Sequence, residues 1–221
     1  MSGPSKWAPT RSNSTSGPKP VFTGIVTDVG EVLDVRQQAE GLRRLKIGCS
    51  YDPASIAIGA SIACSGVCLT AVEAGRQGNR NWFAVDAAAE TLRLTTAGHW
   101  TQGTRLNLER SLKIGDELGG HIVAGHADGL AELTGCENLP DMARLTFKAP
   151  APLMRFVAQK GSVTLDGVSL TVNEATRDTF SVLIIPHTLK VTTIGVLKPG
   201  DTVNIEIDLM ARYAARLLET K

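Results

Sequence analysis

Gly66-Val67-Cys68-Leu69-Thr70 and Gly167-Val168-Ser169-Leu170-Thr171 are one phrase written twice, and they decide the architecture. Working outward in the same register, Ser61-Ile62 falls on Ser162-Val163, Gly24 on Gly125 and Glu31 on Glu132. Downstream, a polar loop at residues 76–81 is shortened to residues 176–178 in the second copy. The match then resumes, with Thr91-Leu92-Arg93 on Thr188-Leu189-Lys190, Thr95-Thr96 on Thr192-Thr193 and Gly98 on Gly195. Gly103 meets Gly200, and Asn107 and Glu109 meet Asn204 and Glu206. Motifs in one order with a single change of loop length make the chain an internal duplication.

Each copy reads as β-rich. Short alternating or apolar runs at residues 21–35, 42–47, 61–72 and 82–87 are separated by Gly, Asp, Asn and Pro clusters. The second copy repeats them at residues 129–134, 143–148, 162–172, 180–185 and 202–207. Many short strands with regular turn signals predict a closed barrel, which removes exposed edges. The expected fold is mainly β: two tandem, Greek-key-like, six-stranded barrels over residues 21–118 and 119–208. Short helical pieces are expected at residues 53–58 and 151–159, after the third strand of each copy, and a hinge at residues 113–119. At the tail, Leu209, Tyr213 and Leu217 recur at i, i+4 and i+8, which predicts a short amphipathic helix over residues 209–221 that needs a partner, its own barrel or another subunit.

Bulk properties exclude several classes. The 221 residues carry 23 basic and 22 acidic side chains, so no charge excess points to nucleic acid or an anionic membrane. No apolar run approaches the ~20 residues of a membrane span. The four cysteines, Cys49, Cys64, Cys68 and Cys136, form no C-x-x-C pair and no zinc spacing; they suit a reducing cytoplasm better than a disulfide scaffold. Residues 1–20, rich in Ser, Pro, Gly and Thr, read as a disordered leader outside the fold.

The segment Val21-Phe22-Thr23-Gly24-Ile25-Val26 resembles the Met-Phe-Thr-Gly-Ile-Val opening of riboflavin synthases. The likeness continues through both repeated phrases, Gly120-His121 to Gly125-His126, Lys160-Gly161-Ser162 and Val203-Asn204-Ile205-Glu206-Ile207-Asp208, and so covers residues 21–221. The resemblance implies a cofactor-free transferase with no metal. Two molecules of 6,7-dimethyl-8-ribityllumazine exchange a four-carbon unit, giving riboflavin and a ribitylamino-pyrimidinedione. It further implies a homotrimer, with each active site between the N-terminal barrel of one subunit and the C-terminal barrel of the next, and a functional link to lumazine synthase.

Such chemistry needs a base for the C7 methyl of a lumazine and a nucleophile for a ring carbon. By resemblance, His126, Ser169, Thr171 and Cys68 stand at the facing ligand sites, with Asp208 to orient a neighbour and Lys160 to steady an anionic intermediate. Ser61, Thr70 and Asp86, beside Glu90 and Thr91, would meet ribityl hydroxyls and pyrimidine edges. Ile25, Val26, Leu69 and Ala127 would line the rings, as would Leu170, Ile185, Pro186, His187 and Thr188 in the second copy. Gly24 and Gly125 would let backbone amides approach a flat ring, and Phe22 would reach into the neighbouring site. Without the resemblance, Cys68 is an inert cysteine in an apolar strand, Ser169 and Thr171 are polar positions on one strand face, and Asp208 and Lys160 are surface charges. The five-residue spacing of His121 and His126 fits neither a helix turn nor one strand face, which argues against a metal pair.

The copies also differ informatively: Cys68 answers to Ser169, and Ile25 to His126. A reaction in which one lumazine donates and the other accepts needs two such unlike sites. Departures from the family pattern are the leader before Val21, Ser65 where Asn is common, Ala127 in place of a larger apolar residue, and His187 where Glu is frequent. The rival is a lumazine protein, which binds without turnover; its second-copy constellation should have decayed. A flavin-reductase-like barrel would ask for a nicotinamide site, and no G-x-G-x-x-G is present.

Overall fold

In the computed structural model, residues 20–219 are described; apart from Pro20, the expected leader lies outside them. The first copy contributes strands β1 (Asp28–Gln37), β2 (Arg43–Cys49), β3 (Ser61–Cys64), β4 (Val67–Gln77), β5 (Arg80–Ala87) and β6 (Arg105–Arg110). The second contributes β7 (Gly129–Leu139), β8 (Met142–Lys148), β9 (Ser162–Leu165), β10 (Val168–Ala175), β11 (Thr179–Ile184) and β12 (Thr202–Ile207). Each set closes into an antiparallel barrel. The order is β1-β2-β5-β4-β3-β6, and the second barrel repeats that cycle with its own six strands. Matching bulges, at Val32/Asp34 and Leu133/Gly135 and again at Ala71/Glu73 and Val172/Glu174, supply the bend that closure requires.

Alternation places the side chains. Along β4, Val67, Leu69 and Ala71 face the first core while Cys68 and Thr70 face outward; along β10, Val168, Leu170 and Val172 face the second core while Ser169 and Thr171 face out. Phe83, Leu45 and Ile47 fill the first barrel, and the stacked pair Phe147 and Phe180 (centroids 5.8 Å apart) fills the second. Each such ring contributes about 1.5–3 kcal/mol by leaving water.

Helices are short: α1 (Ala89–Leu94), α2 (Ala151–Met154), α3 (Pro186–Val191) and α4 (Leu209–Glu219). Sequence reading expected helical pieces after the third strand. They lie between the second and third strands instead, as α2 and a 310 turn at Pro53–Ser55. It did not anticipate α1 and α3, whose six residues are too few to display a helical period. The final helix forms as expected, capped by the Asp208 carboxylate, which accepts from Met210 N at 2.8 Å. Arg212 ties it to Asp128, and Arg155 ties Glu219. Of the predicted apolar face, Tyr213 and Leu217 remain exposed while Leu209 is half-buried.

Residues 21–27 also differ from expectation. They are no barrel strand: Phe22 pairs in an isolated antiparallel bridge with its repeat counterpart Val123, N to O at 2.8 and 3.0 Å. The two barrels meet here and again at their β3–β4 and β9–β10 turns. Ser65-Gly66 and Asp166-Gly167 have φ of 42°, 76°, 43° and 78°, the double left-handed turn that joins strands through two residues. Gly66 and Gly167 touch so closely that a Cβ on either would lie 2.8 Å from the other's amide nitrogen. Asn107 Nδ2 donates to Asp166 O (2.9 Å) and Asn204 Nδ2 to Ser65 O (2.8 Å), so the pairing is reciprocal.

Candidate functional site

The outward face of each barrel carries one row of side chains across three strands. In the first barrel the row is Glu109, Ala63 and Cys68; in the second it is Glu206, Thr164 and Ser169. Over these rows run the two segments that meet at Phe22 and Val123, and each one crosses to the opposite barrel. Gly24 O accepts from Ser169 N at 2.8 Å, and Gly125 O accepts from Cys68 N at 2.7 Å. Val26 packs on the second core, not the first. Each half-site therefore joins a strand of one barrel to a segment from the other. Gly24, Ile25 and Val26 accompany Ser169, Leu170 and Thr171, while Gly125, His126 and Ala127 accompany Cys68, Leu69 and Thr70.

The glycines serve this crossing. Gly24 has φ +76°, and a Cβ there would sit 2.5 Å from Ser169 Cβ; Gly125 has φ +74° and would sit 2.7 Å from Cys68 Cβ. Sequence reading gave their amides to a ligand ring, but Gly24 N is already donated to Glu109 Oε2 at 2.9 Å. Phe22 departs likewise. It is fully buried against Ala63, Val123 and Cys68 within its own chain, because an apolar ring at the seam gains most from burial there.

The second half-site holds the polar cluster. His121, which sequence reading considered only as a metal ligand, places Nδ1 2.7 Å from Ser169 Oγ and Nε2 3.3 Å from Thr164 Oγ1. Burial lowers the pKa of this imidazole, and the negative charge of Asp208 acts in the opposite direction. With Nε2–H donated to Thr164, Nδ1 is free to accept the Ser169 hydroxyl proton. Thr171 stands exposed beside them, opposite Ser162. Lys160 holds φ +66°, a left-handed backbone that costs a non-glycine residue about 1–2 kcal/mol; its repeat counterpart is Gly59, at φ +91°. Ile185 and the first turn of α3, with Pro186, His187 and Thr188, lie exposed to half-buried after β11.

The first half-site is plainer. Burial pushes the Cys68 thiol up, opposed by a hydrogen bond with Ser61, so the thiol stays protonated at neutral pH. Ala63 stands where the second row has Thr164. Thr70 faces out opposite Ser61, and His126 lies exposed in the crossing segment. The Asp86 carboxylate is engaged by Arg44 through two hydrogen bonds of 2.8 and 2.7 Å, and that guanidinium lowers its pKa. Glu90 is exposed and Thr91 half-buried on α1. Leu69 and Leu170 point into the cores, which leaves them only backbone to offer a ligand.

Sequence reading missed His121, Thr164, Glu109 and Glu206 as parts of these sites. In the repeat register His121 falls on Pro20, so comparing the copies gave no contrast there. A cleft of about 540 Å³ lies beside Ile25, Tyr51 and Lys113, but neither Cys68 nor Ser169 lines it. The described residues contain no cluster of three or more metal-ligating side chains, and no described helix is long and apolar enough to cross a membrane.

Residues 23–111 and 124–208 each match the lumazine binding domain family. The chain is 56% identical over 200 residues to a riboflavin synthase of Brucella abortus (strain 2308), covering 90% of this chain and 98% of that one. Against a riboflavin synthase of Bacillus subtilis (strain 168), identity is 36% over 198 residues, covering 90% of each. Among solved structures, LumP complexed with riboflavin superposes with a TM-score of 0.71 over 84% of this chain and 98% of that one. At 24% identity, that likeness speaks for the fold.

Proposed function

Because this chain belongs to the lumazine binding domain family and to its riboflavin synthases, we propose that it converts two molecules of 6,7-dimethyl-8-ribityllumazine to riboflavin and 5-amino-6-(ribitylamino)uracil. A four-carbon unit passes from one molecule to the other, without an added cofactor. The observation that carries this reading is the pair of unlike half-sites on one duplicated scaffold, Ser169 with His121 and Thr164 in one and Cys68 with Ala63 in the other.

In this mechanism the second half-site activates. His121, kept neutral by burial, accepts the Ser169 proton, so Ser169 Oγ can add to an electrophilic ring carbon or relay a proton from the acidic C7 methyl. Lys160 supports the anion so formed, and Asp208 stabilises the imidazolium. The first half-site binds the second lumazine through Thr70, Ser61 and backbone, with His126 exchanging protons at its edge. Holding the two rings face to face supplies much of the rate.

Both half-sites open outward, and Ile25, Ile185 and Val196 are exposed. Bringing two rings together calls for the first-barrel face of one copy against the second-barrel face of another, which supports a homotrimer; the exposed Met210, Tyr213 and Leu218 of α4 supply further apolar contact. Four free cysteines support a location in the reducing cytoplasm, where a lumazine-forming enzyme would supply the substrate. The alternative, a lumazine-binding protein without turnover, has the fold likeness to LumP in its favour; the intact Ser169–His121 pair favours the enzyme. Mixing purified protein with 6,7-dimethyl-8-ribityllumazine alone and following flavin absorbance separates them. Flavin should accumulate at one per two lumazines consumed, and tight binding without flavin would overturn the synthase reading.

A further inference from the structure

Two buried glutamates remain outside that mechanism, one on each barrel. Glu109 Oε1 accepts from Thr23 N (2.7 Å) and Thr23 Oγ1 (2.8 Å), and its Oε2 accepts from Gly24 N (2.9 Å). The same two residues then turn their carbonyls to the other barrel. Thr23 O accepts from His121 N (3.2 Å), and Gly24 O accepts from Ser169 N (2.8 Å). Glu206 is the repeat counterpart. It accepts from Ala124 N (2.8 Å) and His126 N (3.0 Å), while Gly125 O between them accepts from Cys68 N (2.7 Å). Neither glutamate forms a salt bridge among the described residues. Each carboxylate is spent on the backbone of a crossing segment.

We propose that Glu109 of the first barrel is a positioning residue for the Ser169–His121 pair of the second, and that Glu206 of the second positions Cys68 and His126 at the first. The wiring is crossed, so each barrel sets the geometry of the other's half-site. A carboxylate suits the task because three donors converge on Glu109, and only an acceptor-only group can satisfy them all. Desolvation raises the pKa of both carboxyls, against the opposing grip of the segment's hydrogen bonds. Loosening it lets the 2.7 Å contact between His121 and Ser169 open without touching either residue. The proposal rests on the synthase reading for its kinetic consequence, but its structural consequence does not.

The test compares Glu109→Gln, Glu109→Asp and Glu206→Gln in the full-length protein. Glutamine presents an N–H₂ to donors that need an acceptor, whereas aspartate keeps the acceptor at shorter reach. Glu109→Gln should lower kcat by about 10- to 100-fold with KM nearly unchanged, the size expected when a reacting pair is misplaced by an ångström, and Glu109→Asp should recover part of the loss. In a Ser169→Ala background Glu109→Gln should cost little more, while Glu206→Gln should still multiply. Crystal structures should show the His121–Ser169 contact open in Glu109→Gln with the Cys68–Gly125 bond intact, and the reverse in Glu206→Gln. Unchanged contacts at both half-sites, or the same damage from either variant, would overturn the crossed wiring. Absence of flavin formation by the unmodified protein would instead strike the synthase reading and leave the structural comparison standing.

Discussion

Cys68 and Ser169 stand at equivalent points of the two barrels, each with its amide bonded to a glycine carbonyl from the opposite copy. The groups nearest to them differ. Ser169 has His121 at 2.7 Å and Thr164 in its row; Cys68 has Ala63 in its row and the buried Phe22 ring against it. Lys160 accepts a left-handed backbone where the first copy uses Gly59. On the proposed reading, one scaffold is used twice, with the Ser169–His121 pair at one copy and a mainly binding surface at the other. A chain that only bound two identical ligands would gain nothing from that division.

Four experiments can break or sharpen this contrast. The largest effect is expected at the hydroxyl: Ser169→Ala should lower kcat by about 10²- to 10⁴-fold, the range for loss of a positioned proton-transfer group, whereas Cys68→Ala should cost under about tenfold. Steady-state flavin formation measures both, and equal losses would erase the distinction between the half-sites. Next comes the imidazole pair. His121→Gln should cost about 100-fold and His126→Ala about tenfold, with lumazine binding, followed by fluorescence titration, retained in both. Because burial holds the His121 pKa below its ordinary 6.5, activity should be full at neutral pH and fall only as pH drops through that lower value. The His121→Gln variant should lack this acid limb.

Smaller effects concern stability. Lys160→Gly should raise unfolding free energy by up to about 1 kcal/mol by relieving the left-handed strain while slowing turnover several-fold; urea denaturation alongside kinetics checks the pair, and a destabilised variant would mean the Lys160 backbone is not strained. The least effect is expected at the turn where the barrels touch. Asp166 is buried, and desolvation pushes its carboxyl from 3.8 to about 7, where the first copy has Ser65. The folded state thus holds a proton that the unfolded state releases between about pH 4 and 7. Stability should fall as pH rises through that window, with the cost fully present above pH 7. Asp166→Asn, which can still accept from Asn204 N, should raise Tm at pH 8 by about 2–4 °C and change it less at pH 5. Thermal melts with the same gain at both pH values would show that this carboxyl does not titrate there.

The sequence by itself determined the duplication, the β class and the outward placement of Cys68, Thr70, Ser169 and Thr171, because a period of two and paired turn glycines act within a few residues of one another. It also marked the asymmetry at Cys68 and Ser169, which needs only a register. Tertiary structure decided the rest. That Gly24 lies on Ser169 and Gly125 on Cys68, that Phe22 is sealed in the seam, and that Glu109 grips Thr23 are contacts between residues far apart in the chain, and no local pattern encodes them. His121 shows the limit well: its neighbours in sequence gave no role for it, and only the crossing of one segment to the other barrel set its ring beside Ser169. Local periodicity chose the barrels; burial and hydrogen-bond satisfaction at their seam chose the site.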